Sequence, residues 1–194
     1  MLTDRFDEAL SYASRLHREQ RRKSTAIPYV AHLLGVASIA LENGGDEDQA
    51  IAALLHDAVE DQGGAPRLLE IRNRFGDRVA EIVDHCTDAD VDPKPAWHPR
   101  KAAYIASLAN KPIASLQVSL ADKTHNAGAI VADLAVHGDV LWSRFTGGRD
   151  GTLWYYDALA QAFAGRIPGP ALERFAALVD QMHGIAGRVR GGVA

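Results

Sequence analysis

Apolar positions recur along this chain at helical spacing almost from end to end. The strict alternation that marks a half-buried strand is nearly absent. Phe6, Leu10, Ala13 and Leu16 form an i, i+4, i+7, i+10 stripe, which predicts a first helix over about 3–21 with Thr3 as its N-cap. A loop over 24–28 leads into a second helix, about 29–43, which Gly44-Gly45 stops. Asp46 can cap a third, about 47–61, with Ile51, Leu54, Leu55 and Ala58 on its buried side and Gly63-Gly64 at its end. Further helices are predicted over about 66–75, 77–86, 100–109, 113–136, 152–165 and 170–187, with a short one over about 139–145. Residues 88–99 hold Pro93, Pro95 and Pro99 and read as an irregular loop. Residues 188–194 read as a frayed tail. The fold class is all-α, about eight to ten helices in a single domain over 1–194, with no repeat or linker.

Composition excludes more than it identifies. With 194 residues, 47% hydrophobic and 24% charged, the chain has a globular make-up, not that of a disordered, collagenous or disulfide-rich protein. The single cysteine, Cys86, rules out an intrachain disulfide and any thiolate cluster, and reads as a buried bystander. A net charge of -4 argues against a nucleic-acid binder but leaves a small anionic ligand open, because local charge decides that. Asp4, Arg5 and Asp7 are followed by no apolar signal core. The apolar run from Ala31 to Leu41 is short and contains His32 and Ser38, so it reads as a core helix and not a membrane span. A soluble, cytoplasmic protein is expected.

The candidate chemistry lies in the third predicted helix. Leu54-Leu55-His56-Asp57-Ala58-Val59-Glu60-Asp61 places His56 and Glu60, and Asp57 and Asp61, four residues apart. Adjacent His56 and Asp57 point about 100° apart on a helix, and both can still reach one ion at the end of a groove. His32 stands alone in an apolar run, and Asp122 stands in Ser119-Leu120-Ala121-Asp122-Lys123-Thr124-His125-Asn126. Ionisable groups in such runs are costly unless paired or metal-bound. On its own, His32 reads as a core histidine with a local hydrogen bond. An HD pair followed one turn on by an ED pair reads as a metal site. Two imidazoles and two carboxylates suit a borderline divalent ion such as Mn²⁺, Fe²⁺ or Zn²⁺. Such an ion lowers the pKa of a bound water, and a nearby Glu60 or Asp61 can orient that water or take its proton. This is a design for hydrolysis of a phosphoester or pyrophosphate.

His32, His56-Asp57 and Asp122 resemble the H…HD…D signature of HD-domain phosphohydrolases. The surroundings are more specific. Arg22-Lys23-Ser24 followed by Ile27-Pro28-Tyr29-Val30-Ala31-His32, the ALLHD-x-x-ED segment from Ala53 to Asp61, Phe75-Gly76-Asp77-Arg78-Val79-Ala80 and Leu120-Ala121-Asp122-Lys123-Thr124-His125-Asn126 are similar to four ordered motifs of the RelA/SpoT-type alarmone hydrolases. The chain ends where the synthetase domain of that family's long enzymes would begin, so it is similar to the stand-alone small alarmone hydrolases.

The resemblance implies an all-α HD fold and Mn²⁺ held by His32, His56, Asp57 and Asp122. It implies Glu60 and Asp61 as the pair handling water, and removal of the 3′-pyrophosphate of ppGpp or pppGpp. It puts Arg22 and Lys23 near the base and Asn126 near the ribose. Read alone, Arg21-Arg22-Lys23 is a solvated basic helix end. Arg100 and Lys101 open a helix as a second basic cluster, able to hold phosphates or simply to face water. Trp142, Phe145, Trp154, Tyr155 and Tyr156 read as packing of the late helices. Where the family continues with Arg and Thr after its H-N, this chain has Gly128 and Ala129, which admits an adenine analogue such as (pp)pApp, or another nucleotide such as a nucleoside monophosphate.

Overall fold

The helical periodicity is realised, in the computed structural model of the chain, as ten α-helices and two short 3-10 helices over the described residues, 1–88 and 95–190. They are α1 (Asp4–Leu16), α2 (Val30–Glu42), α3 (Glu47–Leu55), α4 (Ala58–Gln62), α5 (Gly64–Phe75), α6 (Asp77–Cys86), α7 (Trp97–Ser107), α8 (Ile113–His137), α9 (Gly148–Ala164) and α10 (Pro170–Arg190). The 3-10 helices are Leu108–Asn110 and Gly138–Arg144. The fold is all-α. Of the expected loop over 88–99, residues 89–94 lie outside the described residues.

Five predicted boundaries need correction, one of them the start of α9, which lies at Gly148 and not at 152. Helix α1 stops at Leu16, short of 21, because the chain turns back on itself: Tyr29 N–H donates to Gln20 O (2.9 Å) and Arg22 N–H to Ile27 O (2.9 Å), with Ser24 at φ 59° in the turn. The single helix expected over 47–61 is two helices, interrupted at His56 and Asp57, where Asp57 sits at φ -95° and ψ -1°. Helix α7 begins at Trp97, which puts Pro99 in its first turn, where a missing N–H costs nothing. Helix α10 continues to Arg190 where a frayed tail is expected; residues 191–194 lie outside the described residues. Cys86 is half-buried against the core rather than fully buried.

The chain divides into two compact units: Met1–Pro95 with Lys111–Asp122, and Ala96–Asn110 with Lys123–Ala194. In the first, α3 is central. Every residue from Ala50 to Leu55 is fully buried, which is why its sequence is apolar on all sides instead of on one stripe. Leu33 and Val36 of α2, Ile71 and Phe75 of α5 and Val79 and Val83 of α6 share its core. Burying each large aliphatic side chain there contributes about 1.5–3 kcal/mol. The start of α3 is fixed by a capping box between Asp46 and Gln49. Arg5 reaches Asp48 at 2.9 Å, and Arg78 reaches Asp46 at 2.6 Å. Gly63 ends α4 at φ 130° and Gly64 opens α5 at φ 61°, a pair of positive values that only adjacent glycines adopt without strain.

The second unit packs α9 against α7 and α10. Phe163 meets Phe175 edge-on, with ring centroids 6.1 Å apart. Trp97 lies over Gly147, where a Cβ would come within 2.6 Å of the indole. Trp142, Tyr155 and Tyr156 are buried, as packing requires, while Trp154 is half-buried and stacks on His98 at 4.2 Å.

Candidate metal centre

Three helices and one helix break bring the four expected ligands together within the first unit. His32 lies in the first turn of α2. His56 is the last residue of the α3 turn and Asp57 leads into α4. Asp122 lies within α8. The break matters because it carries the HD pair out of the fully apolar α3 without burying the Asp57 backbone in a continuing helix. His32, His56 and Asp122 are buried, and the Asp57 side chain keeps 21% exposure.

The donor atoms converge. Asp57 Oδ2 lies 2.9 Å from His56 Nε2 and 3.6 Å from His32 Nε2. Asp122 Oδ1 lies 3.3 Å from His32 Nε2 and 3.5 Å from His56 Nε2. His32, His56 and Asp57 each offer one donor atom within 4.8 Å of the others, so these three could share one ion, with Asp122 Oδ1 beside the two imidazoles. The His56 tautomer provides the sharper test of fit. Its Nδ1–H donates to Ala53 O at 2.8 Å, which leaves the Nε2 lone pair facing Asp57 and Asp122. Buried Nε2 makes no hydrogen bond of acceptable geometry. Nε2 aimed at two carboxylates needs a positive charge between them, either its own proton or a metal ion. The donor set therefore suits a divalent metal ion.

The same crowding shifts the titrating groups. Burial alone would push His56 down, but the Asp57 and Asp122 carboxylates hold it well above the ordinary histidine value. Burial would raise Asp57, but His56 and His32 hold it well below the usual carboxylate range. Without a metal, a proton on His56 supplies positive charge beside the two carboxylates, and a metal ion would take its place.

Glu60 and Asp61 sit on α4. Asp61 N–H donates to Asp57 O at 3.0 Å, so the expected one-turn relation between these two aspartates survives the helix break. Glu60 is half-buried and Asp61 exposed. Arg22 is half-buried in the turn after α1, where Thr25 Oγ1 donates to its carbonyl at 3.0 Å, and Lys23 is exposed. Arg100, Lys101 and Asn126 belong to the second unit and are half-buried. The Lys101 ammonium lies 5.0 Å from the Tyr155 ring centroid.

Two supporting residues carry no sequence expectation. Tyr29 Oη donates to Asp57 Oδ2 at 2.5 Å, and Gln20 Nε2 donates to Asp61 Oδ2 at 2.8 Å. Tyr29 falls within the Pro28-Tyr29 segment of a family-like motif, but no role is read from it, and Gln20 carries only its spacing from His17.

Residues 9–153 match the model of the HD domain. The chain belongs to the HD-domain family. This HD domain is 38% identical over 122 residues to guanosine-3′,5′-bis(diphosphate) 3′-pyrophosphohydrolase MESH1 of Homo sapiens, a match covering 61% of this chain and 65% of that protein. The chain thus spans just under two thirds of the length of that relative. To the Drosophila melanogaster protein of the same name it is 34% identical over 143 residues, covering 72% of this chain and 75% of the relative. Its fold is similar to the solved structure of a metazoan ortholog of SpoT, described as hydrolysing ppGpp, with a TM-score of 0.76, 28% identity, and coverage of 95% of this chain and 98% of that one. No helix of the HD domain is long and apolar enough to cross a membrane, among the described residues.

Proposed function

We propose that this protein is a metal-dependent hydrolase of guanosine tetra- and pentaphosphate, removing the 3′-pyrophosphate to leave GDP or GTP. The convergence of His32, His56, Asp57 and Asp122, with Glu60 and Asp61 just beyond on α4, carries the reading. The names of the human and fly relatives and the similarity to the SpoT ortholog support the substrate class. We assign Mn²⁺ as the ion on the family pattern; the imidazole and carboxylate donors suit Fe²⁺ or Zn²⁺ as well. Bound there, it lowers the pKa of a coordinated water and offsets charge on phosphate oxygens.

The chain's own residues supply the rest. His32 and His56 offer neutral Nε2 atoms, and Asp57 and Asp122 offer carboxylate oxygens. Glu60 and Asp61 orient the attacking water and take its proton on a carboxylate oxygen. The water oxygen bonds to the phosphorus attached to the ribose 3′ oxygen, the P–O3′ bond breaks, and the proton passes to the departing 3′ oxygen to leave free pyrophosphate and a 3′ hydroxyl. The family pattern assigns Arg22 and Lys23 to the base and Asn126 to the ribose. Arg100 and Lys101 are assigned to phosphates, where a guanidinium gives paired hydrogen bonds. The family match from 9 to 153 draws on both units, which supports one functional domain over 1–194. A nucleotide substrate fits a cytoplasmic setting. Gly128 and Ala129, in place of the family's Arg and Thr, favour a second reading in which an adenine alarmone is the substrate.

The test is incubation with ppGpp, pppGpp and pppApp plus Mn²⁺, with products identified by mass. Pyrophosphate with GDP or GTP supports the first reading, and faster turnover of pppApp the second. Inorganic phosphate alone overturns both, and no turnover at all leaves a nucleotide-binding module. Asp57→Ala is expected to lose both bound metal and activity. Glu60→Gln is expected to keep most metal while turnover falls by about 10²–10⁴-fold. Full activity in Glu60→Gln removes that carboxylate from the mechanism.

A further inference from the structure

Beyond the ligands, the first unit contains a chain of polar side chains with one allowed hydrogen-bond polarity. Gln20, after the end of α1, has three partners. Its Nε2 lies 2.8 Å from Asp61 Oδ2, its Oε1 lies 2.6 Å from His17 Nδ1, and Gln62 Nε2 lies 2.8 Å from the same Oε1. A carboxylate only accepts, so the NH₂ end of Gln20 must face Asp61. Its carbonyl oxygen then faces Gln62 and His17, and both must donate to it. This fixes the amide orientation and makes His17 the Nδ1–H tautomer. His17 is 1% exposed, and its Nε2 has no hydrogen-bond partner. Its ring stacks on Tyr29 with centroids 5.3 Å apart. Burial lowers the His17 pKa, so the neutral tautomer holds at neutral pH.

We propose that Gln20 is a positioning residue for Asp61, its amide locked by His17 and Gln62 so that one N–H holds the Asp61 carboxylate in a single orientation. The proposal rests on the reading of Asp61 as part of the water-handling pair. Asp61 lies near the end of a five-residue helix with its side chain exposed. A donor that is itself held on two sides fixes the carboxylate it faces, which is what a group poised to receive a proton requires. The lock also joins the residues after α1 to α4 across 41 positions of sequence.

The variants are Gln20→Ala, Gln20→Glu, His17→Ala and His17→Asn, assayed on ppGpp with Mn²⁺ alongside thermal melting. Gln20→Ala and Gln20→Glu are expected to lower kcat about 10- to 100-fold while KM stays within about twofold. His17→Ala is expected to lose kcat similarly. His17→Asn restores a donor where Nδ1–H stood and recovers most of that loss. A fall in KM-side affinity or melting temperature with kcat intact, or no recovery in His17→Asn, overturns the proposal. A second readout needs no turnover: long-range ¹H–¹⁵N NMR of the wild type, where His17 is expected as Nδ1–H and where Gln20→Ala shifts that signal. An Nε2–H tautomer overturns the lock. If the wild type releases no pyrophosphate from ppGpp, the proposed function fails, and the NMR result alone decides the lock.

Discussion

The aim of the Asp57 carboxylate depends on Tyr29. Burial, then the neighbouring Asp57 charge, pushes the Tyr29 hydroxyl far above the ordinary phenol value, so it stays protonated and can only donate to that carboxylate. Tyr29→Phe removes the donor and little else, because the ring keeps its packing against His17 and His32. Outer partners of metal ligands commonly contribute 10–100-fold in metal affinity. The expected outcome is Mn²⁺ binding weakened about tenfold by calorimetric titration, with a melting temperature near wild type in the absence of metal. Unchanged affinity would release Tyr29 from this role. The four candidate ligands could be singled out in the sequence as ionisable groups in apolar helical runs, although His32 alone reads as a core histidine and only the family pattern ties the four together. Tyr29 and Gln20 were not, since their partners lie 28 and 41 residues away and nothing local marks the pairing. A tyrosine near an apolar run reads equally well as packing.

At the level of elements, legibility followed the strength of the punctuation. Helix α6 appears over the predicted residues because Gly76 precedes it and the apolar stripe ends at its last turn. The break between α3 and α4 was invisible, because apolar periodicity runs straight through Leu54, Leu55, Ala58 and Val59. What interrupts the helix is where His56 and Asp57 must sit in three dimensions. The start of α3 then sets how His56 is presented, and Asp46 controls that start. Its side chain accepts from Gln49 N–H at 3.0 Å, and Gln49 Oε1 accepts from Asp46 N–H at 3.0 Å. Burial, the largest single cause, raises the Asp46 pKa, but Arg78 and the Gln49 and Asp48 amides together outweigh it and hold the carboxyl below its ordinary value. A depressed pKa means stability that is complete above the unfolded value near 4 and lost as pH falls through the folded one. Asp46→Ala is expected to cost about 1 kcal/mol at pH 7, or about 2–4 °C in melting temperature. The gap to wild type should close as the pH drops below about 4. A gap that persists once the folded Asp46 carboxyl is protonated would show that the cap acts through neutral hydrogen bonding or packing and not through its charge.

For the whole molecule, the informative fact is where the donor set falls. All four expected ligands belong to the unit formed by Met1–Pro95 and Lys111–Asp122, and none to the other. A ligand that binds only the folded form stabilises it by mass action, about 2.7 kcal/mol when its concentration is 100 times Kd. That free energy enters through α2, α3, α4 and the part of α8 up to Asp122. Opening of those segments breaks the donor set, whereas local opening of α9 or α10 leaves all four ligands in place. Hydrogen exchange reads the difference segment by segment, because protection reports the cheapest opening of each region. Saturating Mn²⁺ is expected to slow exchange in α2, α3 and α4 by about 10- to 100-fold. Exchange in α9 and α10 should change only where it proceeds by global unfolding. Chelation should reverse the pattern without loss of helical circular dichroism, since the apolar core around α3 does not depend on the ion. Equal slowing in every helix would mean that the two units open only together. No slowing in α2 to α4 would remove the metal from this cluster of histidines and aspartates.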